Sequence, residues 1–125
     1  MTSDYQPTAV AGRLRLTRQP VGRLRFAPGD RVKFRGEKQR YTVRAVSTDG
    51  RWVICTKPFN LRRTVIYTVI DFDSGVRGPD DCLGLGYETE DQIAAAMVKF
   101  EAGDAEVSVR YDVYLDIEAV ERAPF

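Results

Sequence analysis

Histidine is absent from this chain. That absence removes the commonest general base and the commonest transition-metal ligand from any site the chain builds. Cysteine is nearly absent: Cys55 and Cys82 are the only two. Two thiols cannot supply a four-ligand zinc site within one chain, and they are read as reduced. No apolar run approaches the roughly 18 residues that a membrane span needs. Residues 1–6 lack the basic-then-apolar pattern of a secretory leader. These absences together describe a cytoplasmic protein with no cofactor, no metal and no membrane partner. Without histidine, only the rarer Ser–Lys or Cys–Lys arrangements remain for nucleophilic catalysis. The adjacent pair Asp80 and Asp81 has no apolar or cationic neighbour pattern to split its two pKa values. The chain is therefore read as non-enzymatic.

Hydrophobic residues make up 43% and charged residues 30% of the 125 positions, an ordinary balance for one globular domain large enough to bury its own core. The net charge of +1 hides a split. Residues 1–63 hold 15 Lys+Arg against 4 Asp+Glu, a net of +11, and residues 64–125 carry a net of −10. Such a layout fits a surface facing nucleic acid. It equally fits basic strands that meet acidic ones inside the fold and cancel.

Along the chain, residues 1–11 offer little to fold around and are expected to be disordered. Gly12-Arg13-Leu14-Arg15-Leu16 recurs as Gly22-Arg23-Leu24-Arg25-Phe26, with apolar and cationic residues alternating. Residues 12–27 are thus either a basic arm or an extra hairpin. Residues 28–118 read as a single β-rich domain, and 119–125 as a tail. Pro28-Gly29-Asp30 marks a turn into a strand in which Val32 and Phe34 alternate with Arg31, Lys33 and Arg35. Asp49-Gly50 predicts a two-residue hairpin turn. That turn places Ser47 opposite Trp52, Ala45 opposite Ile54 and Val43 opposite Thr56. Tyr41, Val43, Ala45, Trp52 and Ile54 then share the core face; a bulge would exchange the faces. The run 64–72 is apolar on both faces, which predicts a central strand covered on both sides.

One helix is predicted near 90–102. Thr89 and Gln92 have capping-box spacing, Ile93, Ala96, Met97 and Phe100 form its apolar stripe, and Gly103 is placed to end it. Val107, Val109, Tyr111, Val113, Leu115 and Ile117 then alternate strictly with polar residues, the pattern of one long half-buried strand. The fold class is α+β: a mainly antiparallel small β-barrel, or a strongly curved sheet, with one amphipathic helix packed on it.

The Pro28-Gly29-Asp30-Arg31-Val32 opening, followed by short strands and an Asp-Gly hairpin, resembles the start of SH3-like and Tudor-like small barrels. A second resemblance spans roughly residues 28–118. It is carried by 63–71, by Gly75-Val76-Arg77-Gly78-Pro79-Asp80, by 84–89, and by Ala102-Gly103-Asp104 leading to Val107-Ser108 and Leu115-Asp116-Ile117. These segments resemble small proteins encoded by actinobacterial phages and their hosts. The resemblance implies an accessory phage or prophage protein working in the host cytoplasm, and it transfers no catalytic residues.

Two readings of function follow. In the first, the chain is a non-catalytic protein-interaction module that meets a host or phage protein through a sheet edge or the loop from Asp73 to Gly86. Asp73, Val76, Arg77, Asp80 and Asp81 are its candidate contact residues. In the second, a nucleic-acid-binding barrel sets Arg13, Arg15, Arg18, Arg23, Arg25, Arg31, Lys33, Arg35 and Arg44 on the phosphates of DNA or RNA. Phe26, Phe34, Tyr41 and Trp52 are interleaved with these cations, as in stacking platforms. The same aromatics fit a core equally well. A homo-oligomer joining basic half to acidic half is a third arrangement. Asp71, Asp73 and Gly75 imitate the opening of a calcium loop, but the later ligand positions are missing. Gly84-Leu85-Gly86 lacks the third glycine and the lysine of phosphate-binding loops.

Overall fold

The computed structural model describes residues 7–10, 13–16, 25–58, 65–79 and 86–124. In chain order the elements are β1 (Pro7–Val10), β2 (Arg13–Leu16), β3 (Arg31–Phe34), β4 (Tyr41–Val46), β5 (Trp52–Pro58), β6 (Val65–Asp71) and β7 (Val76–Gly78). After them come α1 (Glu90–Ala102), β8 (Tyr111–Asp112), α2 (Val113–Asp116) and β9 (Ile117–Glu121). All strands join one curled antiparallel sheet in the order β1-β2-β9-β3-β4-β5-β6-β7-β8. The expected α+β class, a strongly curved sheet with a helix packed on it, is what the chain forms.

The sheet buries both faces. On one face Phe26, Val32, Phe34, Tyr41, Val43, Val53, Cys55, Ile70 and Phe72 pack with Val113, Ile117 and Val120. On the other face Trp52, Ile54 and Val69 meet Ile93, Ala96, Met97 and Phe100 of α1. Residues 52–56 of β5 are all buried. β5 is therefore the strand most completely covered on both sides, flanked by β4 and by β6.

The hairpin of β4 and β5 departs from its expected register at one residue. Ala45 pairs with Ile54 as the two-residue turn requires, but Val43 pairs with Cys55 and Thr42 with Thr56, so Arg44 is bulged out. A bulge moves every residue beyond it to the opposite face. Tyr41 and Val43 accordingly enter the core around Phe34 and Val120, while Ala45, Trp52 and Ile54 lie under the helix. The turn also differs. The Gly50 amide donates to the Ser47 carbonyl, and Gly50 has φ +76°, which places Thr48 and Asp49 at the turn's centre.

Helix α1 forms as its sequence requires. The Thr89 side chain accepts from the Gln92 amide, the Gln92 side chain accepts from the Thr89 amide, and Gly103 ends the helix in the left-handed region. Thr89→Ala is expected to lower stability by about 1 kcal/mol, the usual cost of losing an N-cap, read as a shift in urea midpoint.

The predicted long strand over 107–118 is broken. Asp112 accepts from the Tyr114 and Leu115 amides and caps the single turn α2. One helical turn places residues i and i+4 on the same side. Val113 and Ile117 therefore both enter the core, while Leu115 is turned outward.

The expected tail is also corrected. Residues 117–121 form β9, wedged between β2 and β3, with Ala119 and Val120 buried. Beyond it, buried Asp30 accepts from the Ala27 and Ala123 amides and pairs with Arg122 at 2.9 Å. The apolar pairing of Val120 with Val32 and this carboxylate clamp fix the segment that follows the domain's last core residues. Residues 7–10, inside the stretch expected to be disordered, form β1 paired with β2. Residues 1–6 lie outside the described set.

Candidate protein-interaction surface

One corner of the fold gathers charge and exposed apolar surface together. Three short elements make it: β7, its edge neighbour β8, and α2. Behind them lies Arg77, which is only 8% exposed. Its guanidinium donates to Thr68 Oγ1 at 3.2 Å and to Glu37 Oε2 at 3.0 Å, and it pairs with the Asp116 carboxylate. It also lies 3.8 Å above the Phe34 ring and 5.2 Å from the Tyr111 ring. Arg suits such a place because its planar fork serves several acceptors while its flat face stacks on an aromatic ring.

The network extends to β5. Lys57 pairs with Glu37 at 2.5 Å and lies over the Tyr41 ring, and the Tyr41 hydroxyl donates to Glu37 at 3.3 Å. Burial opposes ionisation of Glu37. The Lys57 hydrogen bond and charge, aided by Arg77 and Tyr41, outweigh it and hold the carboxyl below its ordinary value of 4.5. Burial, and then the Glu37 charge, push the Tyr41 phenol up to about 12. The β3–β4 loop, β5, β6, β7 and α2 are thereby joined through charged groups that the core only partly exposes.

This frame holds three apolar side chains outward. Val109 is 50% exposed, Tyr111 51% and Leu115 57%. They are three of the five large exposed hydrophobics among the described residues, and they fall within seven positions of one another. Single exposed apolar residues need no explanation, whereas a group on a fixed frame beside a sheet edge does. Arg35 closes the corner from the β3 side: its amide donates to the Asp116 carbonyl at 2.7 Å.

The residues expected from sequence are distributed differently. Asp73 is exposed in the turn after β6, with a carboxylate oxygen 3.7 Å from Arg51. Residues 76–78, expected in a loop, are strand β7, where Val76 packs toward the helix side and Arg77 is buried. Arg77 thus shapes the surface from behind and cannot itself meet a partner, because three acceptors already hold its guanidinium. Asp80 and Asp81 lie outside the described residues.

Among the expected cations, Arg13 and Arg15 sit on β2, at register positions opposite Glu121 and Ala119 of β9. Arg18 and Arg23 lie outside the described residues. Arg25 is exposed and its carbonyl accepts from Arg122. Arg31 opens β3 opposite Thr42 and Glu121. Lys33 pairs with Glu118 at 2.5 Å. Arg44, the bulged residue, pairs with Glu90 at the start of α1 and donates to Thr56 at 3.2 Å. Arg40 pairs with Glu121, and Arg51 holds Asp71 in a two-pronged contact of 2.9 and 3.0 Å. Basic residues of the first half thus meet acidic residues of the second half across the sheet. The aromatic residues Phe26, Phe34, Tyr41 and Trp52 are all buried and belong to the core.

Sequence reasoning missed Glu37, Lys57 and Asp116 as a connected group. Nothing local marks them, since they come together only when β3, β5 and α2 converge. Tyr111 and Leu115 were assigned inward by their alternation. The signal for their exposure was Asp112, a preferred N-cap residue in the middle of an apparent strand.

Two shallow grooves flank the tip of the β4–β5 hairpin. One, of about 540 Å³, runs from Asp49 and Trp52 to the end of α1; the other, of about 590 Å³, lies against Arg25, Phe26 and Val46. Neither assembles a nucleophile with a base. Ser47 donates to Asp49 at 2.7 Å while its oxygen accepts the Trp52 amide, which makes the contact part of the turn. Among the described residues, no group of three carboxylates or thiols is placed to hold a metal ion. No described helix is long and apolar enough to cross a membrane. Cys55 is fully buried, and burial pushes its thiol up to about 12. In a Cys82→Ser background, a thiol reagent is expected to leave the native protein unlabelled and to react fully in denaturant. Rapid native labelling would contradict this burial.

Compared with protein families, with characterised proteins and with solved structures, the chain matches none of them.

Proposed function

We propose that this protein is a non-catalytic protein-interaction module whose contact surface is the corner bearing Val109, Tyr111 and Leu115. The observation that carries the reading is the exposure of these three apolar side chains on a frame braced by the Arg77 network. Energy spent holding a buried arginine among carboxylates supports a surface of fixed shape. A fixed apolar surface binds with less ordering cost than a loop. The resemblance of residues 28–118 to small actinobacterial phage proteins supports an accessory role acting on a host or phage protein in the cytoplasm. The short opening strands and the curled sheet are in keeping with an SH3-like barrel. A barrel of that kind acts through whichever surface it presents.

The reading of the chain as a nucleic-acid binder has less support among the described residues. Lys33 and Arg44, two of its phosphate contacts, carry carboxylate partners, and its stacking aromatics are core residues.

The test is affinity purification from a nuclease-treated actinobacterial lysate, using wild type beside the double variant Tyr111→Ser with Leu115→Ser. Both side chains are more than half exposed, so the variant is expected to keep its urea midpoint. A protein retained by wild type and lost from the variant is the expected result. Equal retention by both, or none by either, would count against this surface.

A further inference from the structure

Going beyond that reading, we propose that β8 pairs antiparallel with β8 of a second copy of this chain, in a two-fold contact centred on Tyr111. β8 ends the sheet, and among the described residues no strand lies on its outer side. Residues 108–112 are all exposed. The ladder to β7 decides which backbone groups face outward. Tyr111 pairs with Arg77 and Asp112 with Val76, and the Val113 amide donates to the Gly75 carbonyl. Hydrogen-bonded and non-hydrogen-bonded pairs alternate along an antiparallel ladder. Tyr111 therefore turns its amide and carbonyl to β7, as Val113 does, while Arg110 and Asp112 direct theirs away from it.

One register uses those outward groups. With Tyr111 opposite Tyr111 of the copy, Arg110 falls opposite the copy's Asp112, and Asp112 opposite its Arg110. The outward amides and carbonyls then bond one another across the seam. Arg110 and Asp112 share one face of the strand, so opposite charges meet there twice. On the other face the two Tyr111 rings meet at a non-hydrogen-bonded position, where side chains approach closest. A two-fold contact needs a surface complementary to itself, and the order cation, aromatic, carboxylate supplies one. Both charges are accessible. The Arg110 side chain is 59% exposed, bonded at 3.3 Å to the Val107 carbonyl and 3.9 Å from Glu106. Asp112 caps α2 through Oδ1, which leaves Oδ2 without a donor among the described residues. The opposite end of the sheet has no such pattern: β1 carries no charge and opens with Pro7.

Tyr111 belongs both to this seam and to the contact corner, so the test uses Arg110→Asp, which spares all three apolar residues. Sedimentation velocity at rising protein concentration compares wild type, Arg110→Asp and Arg110→Lys. The expected result is a wild-type dimer that dissociates on dilution, weakened about tenfold or more in Arg110→Asp and kept in Arg110→Lys. In a Cys82→Ser background, Tyr111→Cys should cross-link to its copy under oxidised glutathione. The Cα separation at that position is about 4.5 Å, inside the ~4.4–6.8 Å span of a disulfide. Val98→Cys, exposed on α1, should not cross-link. A dimer that tolerates Arg110→Asp and fails to cross-link through position 111 would overturn this seam. A wild type that stays monomeric at every concentration would overturn the pairing, and a lysate protein retained by that monomer would leave the contact surface standing. Arg110 is exposed, and an unchanged urea midpoint for its variants separates lost pairing from lost folding.

Discussion

Gly78→Ala is expected to lower the unfolding free energy by about 3 kcal/mol, at the upper end for an overpacking substitution. A Cβ at this position would sit 1.6 Å from the Val109 carbonyl oxygen and 2.8 Å from its carbon. Both atoms are backbone, so no side chain can swing aside. Either β7 leaves its pairing with Val69 on β6, or residues 107–110 lift off the sheet. The second movement would carry Val109 with it, so the variant should also lose partner binding. Gly36 provides the control: it has φ +81°, yet nothing lies within 4 Å of its missing Cβ. Gly36→Ala is expected to cost about 1 kcal/mol from backbone strain alone. Urea unfolding of both variants checks the pair. Similar costs would mean that the close passage of Val109 over Gly78 does not exist.

Arg77→Met is expected to cost about 3 kcal/mol, because it removes one partner from a largely buried ionic group and leaves the others in place. Asp116 would lose its cation and Glu37 would keep only Lys57. Adding Asp116→Asn should recover part of the loss, since the uncompensated charge is what destabilises. A single variant that unfolds at the wild-type urea midpoint would show the network to be slack.

Two ion-paired carboxylates, one in this network and one outside it, set an acid limit. Glu37 titrates below its ordinary 4.5 in the folded protein, and Asp71, held by Arg51 and the Ser74 amide against its own burial, titrates below 3.8. A depressed carboxyl contributes stability that is fully present above its unfolded pKa and is lost as pH falls through its folded one. Stability should therefore be flat at neutral pH and decline below about pH 4.5. The decline should be shallower in Arg77→Met, where Glu37 has less to lose.

These effects mark where local sequence is informative and where it is not. Helix α1 was legible from Thr89 to Gly103 because its signals are local: a cap, a 3.6-residue stripe and a left-handed stop. The run 64–72 announced that both its faces are covered; Val69, Ile70 and Phe72 in its second half are buried, whereas Ile66 in its first half is exposed. The Arg44 bulge was not legible, although the sequence could show that a bulge would exchange faces. Nothing in Tyr41-Thr42-Val43-Arg44-Ala45 says where the ladder slips; the demands of two cores on one hairpin decide it. The strand expected over 107–118 failed because strict alternation does not distinguish a strand from two short strands joined by one helical turn. Asp112 carried that information and was outweighed by the longer pattern.

The candidate surface inverts the usual relation between pattern and place. Tyr111 and Leu115 look like core and are exposed, whereas Arg77 looks like surface and is buried. Both reversals follow from the end of the sheet, where β7 and β8 are too short to hide a strand face and α2 rotates the chain. The charge split was legible, and its cancellation was one of two outcomes it allowed. Lys33 with Glu118, Arg40 with Glu121, Arg44 with Glu90 and Arg51 with Asp71 show first-half cations meeting second-half acids.

The measurement that tests the central claim most directly is fluorescence anisotropy of labelled single- and double-stranded oligonucleotides, titrated with the full-length protein at low and high salt. If the pairing of Lys33, Arg40, Arg44 and Arg51 with the protein's own carboxylates is typical of its cations, and the proposed contact surface serves another protein, oligonucleotide binding should be weak with little dependence on salt. Tight binding that falls steeply with salt would mean that the arginines neutralise phosphates, and it would contradict the account.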